Sequence, residues 1–322
     1  MQDRIYMNGG MLLSKYILER FLSMLLVIFI IVSATFLLMH SIPGGPFTGE
    51  KSLSPAVIQN IMERYHLNDP LWKQYTDYIM NIAKGDFGPS FKYEDRTVNQ
   101  IIGDGLPISA ALGVCAAGFA LIVGIPAGII AALRQNKWPD YLVMFGATIG
   151  ISVPNFITAT LLIYVFALKL DLLPAAMWGE FSQVVMPTIA LAALPTAIIA
   201  RLTRSSMLEV LGQDYIRTAK AKGLSMFMII QRHALKNALM PVVTYLGPMV
   251  AFILLGSFVI ESIFAIPGLG RYFVMGIYNR DYTVILGITI FDAVMLVFLN
   301  FLVDIIYVLL DPRIKLDDRK DG

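Results

Sequence analysis

About six apolar runs, each near the roughly 20 residues with which an α-helix crosses a bilayer, decide what this chain can fold into. They fall near residues 17–40, 107–133, 141–168, 184–203, 240–263 and 284–310. In hydrocarbon each backbone N–H and C=O must be satisfied internally, so runs of this length predict helices. The expected fold class is all-α, a polytopic membrane protein. With 57% hydrophobic and 15% charged residues among 322, the chain has too few polar side chains to cover a soluble domain of its size.

Orientation follows from where the charges lie, since the net charge of +2 says little. Lys15 and Arg20 precede the first run, and Arg134 and Lys137 follow the second. Arg201, Arg204, Arg217, Lys220, Lys222, Arg232 and Lys236 lie between the fourth and fifth, and Arg313, Lys315, Arg319 and Lys320 lie in the tail. All fall on one side if the six runs span. By the positive-inside rule that side, with both termini, is cytoplasmic. The first run is too long for a signal peptide and leads into Ser41-Ile-Pro-Gly-Gly rather than a small-x-small cleavage pattern, so it reads as a retained anchor. Met1 to Gly10 read as an extension ahead of an alternative start at Met11. Cys115 is the only cysteine and excludes an intrachain disulfide, and His40, His66 and His233 are too scattered for a metal site.

Four regions result: 1–40, the extension and first span; 41–106, an extracytoplasmic helical segment; 107–310, a core with a cytoplasmic loop at 201–239; and 311–322, a cytoplasmic tail. In the outer segment, Ser54-Pro55 signals a helix start, and Val57, Ile58, Ile61, Met62 and Tyr65 share a helical face. Asn68-Asp69-Pro70 breaks the pattern. Leu71, Trp72, Tyr75, Tyr78, Ile79 and Ile82 then form a second apolar face that Gly85 can end. Two such helices bury too little to fold alone and are expected to rest on the membrane domain. Gly124 and Gly128 give a small-xxx-small spacing that lets helices approach closely. Pro107, Pro126, Pro154, Pro187, Pro195 and Pro248 are expected to shape or bend the spans.

No catalytic set, cofactor motif or metal motif is present in the sequence. G-x-x-x-x-G-K-[ST], H-E-x-x-H and G-x-S-x-G are all missing, and nothing points to nucleic acid. Two segments between spans carry specific patterns instead. Asp214-Tyr-Ile-Arg-Thr-Ala-Lys-Ala-Lys-Gly-Leu224 is a basic, helix-compatible stretch: Asp214 suits a helix start, Ala219 and Ala221 are small, and Gly223 suits the left-handed position that ends a helix. Gln231-Arg-His-Ala-Leu-Lys-Asn-Ala-Leu-Met-Pro241 follows it. At the other side of the membrane, Glu261-Ser-Ile-Phe-Ala-Ile-Pro-Gly-Leu-Gly-Arg271 combines a turn at Pro267, Gly268 and Gly270 with apolar Ile263, Phe264, Ile266 and Leu269. An apolar turn suits open water poorly and is expected to fold back toward the bundle.

Ionisable residues inside spans cost about 3 kcal/mol at mid-bilayer, which turns them toward protein or water. Asp292 and Asn300 in the last run are candidate pathway residues, with helix packing as the alternative; Asp304 reads as a packing residue.

The stretch at 214–224 with its sequel resembles the coupling loop by which ATP-binding-cassette importer permeases dock onto their ATPases. The family pattern opens Glu-Ala-Ala and closes, after a spacer, on Gly. Here Arg217-Thr218-Ala219 and Gly223 occupy those places, without the acidic residue, as is common in the peptide-importer branch. The turn Ile266-Pro-Gly-Leu-Gly270, the outer stretches Gly49 to Pro55, Tyr65 to Pro70 and Gly85 to Phe91, and Asp311-Pro-Arg313 are similar to the B-type subunit of bacterial oligopeptide importers. The resemblance runs from about Leu12 to Leu316 and implies the type I importer permease fold in the bacterial inner membrane.

The resemblance also implies partners: a homologous C-type permease as heterodimer mate, two cytoplasmic ATPases holding ATP and Mg, and an extracytoplasmic peptide-binding protein. It implies ATPase coupling by Asp214, Arg217, Thr218, Ala219, Lys220, Ala221, Lys222 and Gly223, with Ala219 and Gly223 in the tight contact. It further implies an outer gate at Glu261, Phe264, Ile266, Pro267, Gly268, Leu269 and Gly270. Transport by alternating access, with no enzymatic activity on this chain, is the expected function. The alternatives are another substrate of the family (dipeptide, nickel, haem, antimicrobial or murein peptide) or a secondary transporter, which needs ion-coordinating groups in paired broken helices.

Overall fold

The computed structural model describes residues 2–41, 59, 68–93 and 95–310, without the side chains of 2–16, 39, 251, 254–256 and 303–310. The expected helix at Ser54 to Tyr65, the side chain of Asp304 and the Asp311-Pro-Arg313 tail lie outside the described residues. Ten helices organise what is described: α1 (Gln2–Ser41), α2 (Leu71–Ala83), α3 (Val98–Leu133), α4 (Trp138–Ser152), α5 (Asn155–Leu162), α6 (Phe181–Leu211), α7 (Asp214–Ala221), α8 (Met240–Ile263), α9 (Leu269–Asn279) and α10 (Tyr282–Leu310). Among the described residues β pairing is confined to one bridge, Pro89 to Thr97.

Every apolar run of the sequence falls on a helix. Ile17–Leu38, Val98–Leu133, Phe181–Leu211 and Tyr282–Leu302 are long and apolar enough to cross a membrane. The expected span at 141–168 is corrected: it is broken between α4 and α5, whose axes turn by 107°. Pro154 accounts for the break, because its ring drives Val153 into extended backbone (φ −92°, ψ 119°) and it has no N–H to continue the ladder. Beyond α5 the chain widens into a π-helical stretch, Ile163–Lys169. The other prolines inside helices, Pro107 and Pro126 in α3, Pro187 and Pro195 in α6 and Pro248 in α8, leave the helices continuous.

The helices group into two compact units, 1–105 with 272–322, and 106–271. This grouping cuts across the division read along the sequence, since it joins the last span to the first. In the first unit α10 packs along α1, with the rings of Phe21 and Phe301 meeting edge to face at 6.4 Å. Helix α2 lies against the end of α1. The Tyr75 hydroxyl is 2.5 Å from Ser33 Oγ, and the Tyr75 and Tyr78 rings stand 5.3 and 5.7 Å from that of Phe36. Burial pushes the Tyr78 phenol's pKa up and keeps it neutral.

The second unit is built around α6, which packs against α4, α5 and α8. The small-residue spacing in α3 does what its sequence implies. A Cβ on Gly128 would meet Thr203 Cβ at 2.5 Å and the Ala200 carbonyl at 2.6 Å, and one on Gly124 would meet Ile199 Cγ2 at 2.9 Å. Only glycine admits α6 so closely. Leu112, Ala116, Ala120, Met186, Leu191 and Ile199 form the centre of the core beside these contacts. Buried Asp140 is held by Arg204, whose Nε and Nη2 donate at 2.6 and 2.8 Å, and by the Asn136 N–H at 3.0 Å. That paired fork tethers the start of α4 to α6.

Candidate coupling and outer-turn segments

Helix α7 is too short to hold itself together in water, and its stability comes from one packed face. Ile216 and Ala219, three positions apart, turn inward together and join Met207, Val210, Ile229, Ala234 and Ala238 in a small core. Asp214, Arg217, Thr218, Lys220, Ala221 and Lys222 are exposed. Asp214 is the first helical residue rather than the cap, which is Gln213; its carboxylate stands at the positive end of the helix dipole. Its oxygen lies 3.5 Å from Arg217 in a pair open to solvent.

The helix ends as expected on Gly223, at φ +78°, with its N–H donating to the Lys220 carbonyl at 3.0 Å. A Cβ there would meet nothing within 4 Å, so the glycine answers to backbone conformation alone. Ala219 turns inward. It is 6% exposed and faces its own chain, so the outward small residue of this helix is Ala221.

The sequel folds back as a compact unit. Ser225 caps Met226–Ile229, a π turn spans Ile230–Ala234, and Asn237 Nδ2 donates to the Tyr215 hydroxyl at 3.0 Å. Ala234 and Ala238 are fully buried, while Arg232, His233 and Lys236 are exposed. Phe227, 75% exposed, adds an uncovered apolar side chain to this basic surface.

The outer turn has the opposite character. As expected, it folds back: Phe264, Ile266, Gly268, Leu269 and Gly270 are buried and Pro267 is half-buried. Glu261 is 0% exposed and organises it. Glu261 Oε2 accepts the Gly270 N–H at 2.7 Å, its carbonyl accepts the Ile266 N–H at 2.8 Å, and Ser109 Oγ accepts the Leu269 N–H at 2.9 Å. The left-handed residue in the turn is Ala265, at φ +53°, rather than a glycine.

Gly268 and Gly270 are required for space instead. A Cβ on Gly268 would collide with Glu261 Oε2 and stand 2.6 Å from Ser109 Oγ, and one on Gly270 would collide with Phe258 Cα. Ile266, expected as part of a plug facing the pathway, belongs to the core of its own unit with Phe264. Asp292 and Asn300 are half-buried on α10. Among the described residues no cluster of three or more His, Cys, Asp or Glu could hold a metal.

Sequence reading missed the node at Asp281. This buried carboxylate accepts from Ser90 Oγ at 2.5 Å, from the Phe91 and Lys92 N–H groups at 3.2 and 3.3 Å, and from Thr283 Oγ1 at 2.9 Å. It also accepts the Val284 N–H at 3.3 Å, which makes it a cap for α10. The signal was available as Asp281-Tyr-Thr ahead of an apolar run. Nearby, Arg96 pairs with Asp104, and its guanidinium lies 5.7 Å from the Tyr272 ring centroid.

Comparison with known proteins bears on the family and the fold. Residues 124–316 match the family described as "Binding-protein-dependent transport system inner membrane component", and residues 12–113 match its N-terminal region. The dipeptide transport system permease protein DppB of Bacillus subtilis is 56% identical over 304 residues, 94% of this chain and 99% of that one. The oligopeptide transport system permease protein OppB of Haemophilus influenzae is 47% identical over 303 residues, again 94% and 99%. Among solved structures, the MetNI methionine ABC transporter in an inward-facing conformation aligns at a TM-score of 0.55 and 17% identity, over 66% of this chain and 97% of that one. The likeness is one of fold.

Proposed function

Since the chain belongs to the binding-protein-dependent transport system inner membrane components, we propose that it forms one half of the pathway of an ATP-driven peptide importer, coupled through α7 to an ATPase on another polypeptide. The observation that carries this reading is the disposition of α7. Ile216 and Ala219 are locked into their own chain, while Asp214, Arg217, Thr218, Lys220 and Ala221, with Lys222 just beyond the helix, face outward. Lys220 and Lys222 have no acidic partner among the described residues, and Phe227 stands uncovered in the same loop. A rigid helix with an uncommitted basic face fits an acidic groove on a soluble subunit, and it transmits motion because its inner face cannot slip.

The homologous C-type permease, paired with this chain as a heterodimer, supplies the other half of the pathway. Two cytoplasmic ATPases hold ATP and Mg, and an extracytoplasmic binding protein delivers the peptide. Relatives named for dipeptides and for oligopeptides both cover 94% of the chain, which supports short peptides as the substrate class. The family match, and relatives named as permeases of peptide transport systems, weigh against the alternative of secondary transport. Uptake of labelled di-, tri- and longer peptides by cells lacking this chain, with and without its return, tests the proposal. Uptake restored by the chain and abolished by ATP depletion is expected. Uptake that survives ATP depletion and collapses with an ion gradient contradicts it.

A further inference from the structure

Helix α2 is amphipathic in a way that water alone does not explain. At about 100° per residue, Leu71, Trp72, Tyr75, Tyr78, Ile79 and Ile82 fall within one face about 120° wide, and Lys73, Asp77, Asn81 and Lys84 lie opposite. The middle of the apolar face is covered by α1 through the Tyr75–Ser33 and Tyr78–Phe36 contacts. Its first turn is not: Leu71 is 60% and Trp72 69% exposed. On the opposite side Lys73 and Asn81 are exposed and Asp77 is half-buried, with the exposed Met80 among them, and Lys73 Nζ donates to Asp69 Oδ2 at 2.8 Å.

The depth of this contact follows from α1. Its apolar span runs over 22 residues, Ile17–Leu38, a rise of about 33 Å against a hydrocarbon core of about 30 Å. Ser33 lies five residues short of Leu38, so the Tyr75 hydroxyl meets α1 about 7 Å inside the end of the span. The flanks of α1 beside it, Phe29, Ile30, Leu37 and Leu38, are exposed apolar surface that only lipid or another membrane helix can cover. The uncovered first turn of α2 continues that surface outward, and tryptophan and tyrosine are the side chains that settle at headgroup level.

We propose that α2 is an interfacial helix, seated in the outer leaflet with Leu71 and Trp72 among the headgroup–acyl boundary and Lys73 and Asp77 toward water. The partner it fits is the lipid surface itself. An amphipathic helix of this kind lies in the interface plane with its apolar face about 5–10 Å deep, which matches the depth set by Ser33. The last turns of α1 are thereby held at fixed height, and the outer segment is laid along the membrane.

Single cysteines at Leu71, Trp72, Lys73 and Asp77, in a Cys115→Ala background, are labelled with bimane in the full transporter reconstituted in phosphatidylcholine–phosphatidylglycerol nanodiscs. Probes at Leu71 and Trp72 are expected to be quenched more strongly by a shallow doxyl lipid than by a deep one. They should also show several-fold weaker iodide quenching than probes at Lys73 and Asp77. Equal iodide quenching at all four positions overturns the proposal. So does protection of Leu71 and Trp72 that arises only when the binding protein is added, which would mark the face as a protein-docking surface.

Discussion

In α7, Ile216 and Ala219 face inward and every charged side chain faces out; at the outer turn, Glu261 in the last turn of α8 is fully buried and accepts the backbone. Both segments interrupt apolar helices, and both carry small residues at their ends. The first meets the demands of its own fold with half of its surface and leaves the other half exposed. The second meets them with everything it has: its glycines have no room for a Cβ, and its apolar side chains belong to the core. If α7 is the lever proposed above, it needs one free face and one fixed face, and the outer turn is the rigid counterpart.

Substitutions test that contrast, the most severe first. Gly270→Val drives a side chain into the Phe258 backbone and is expected to prevent recovery of assembled transporter, as judged by co-purification of the other subunits. Arg204→Ala leaves Asp140 buried without its guanidinium, which costs about 3–5 kcal/mol and should lower the thermal midpoint of the purified complex markedly. Ala219→Trp overfills the small core beneath α7 and is expected to cost about 1–3 kcal/mol by the same measurement. Were Ala219 a contact residue instead, stability would hold and only ATPase coupling would fail. Gly223→Val places a branched residue at φ +78°, a strain of about 1–3 kcal/mol confined to the end of α7; transport should fall while the membrane bundle stays folded. Arg217→Ala removes a solvent-open pair with Asp214 and should leave thermal stability unchanged.

Much of this molecule was legible in its sequence because the bilayer simplifies the problem. Length and apolarity located the four described helices that are long and apolar enough to cross a membrane, and Leu71 to Ile82 with its closing Gly85 was read nearly to the residue, since α2 obeys a helical period and ends on a left-handed glycine at φ +77°. The left-handed end at Gly223 was legible for the same reason. What escaped depends on the third dimension. The face to which Ala219 turns is set by Met207 and Ala234 beneath it. The pairing of Asp140 with Arg204 joins residues far apart in the chain with no local signal. In the outer turn, glycines at 268 and 270 suggested backbone freedom, while the structure uses them for closeness and puts the positive φ on Ala265. The 107° break at Pro154 was half legible: proline announced a disturbance, but hydropathy alone ran straight through it.

The central claim is that the outward face of α7 is the grip for a separate ATPase while its inward face belongs to this chain. Site-specific photocross-linking from positions 219, 220 and 222 in the assembled transporter tests it most directly. Lys220 and Lys222 replaced by a benzophenone amino acid should give adducts with the ATPase polypeptide, and the smaller diazirine side chain at Ala219 should give only intrachain products. Adducts to the ATPase from position 219, or none from 220 and 222 in a complex that still hydrolyses ATP, would contradict the account.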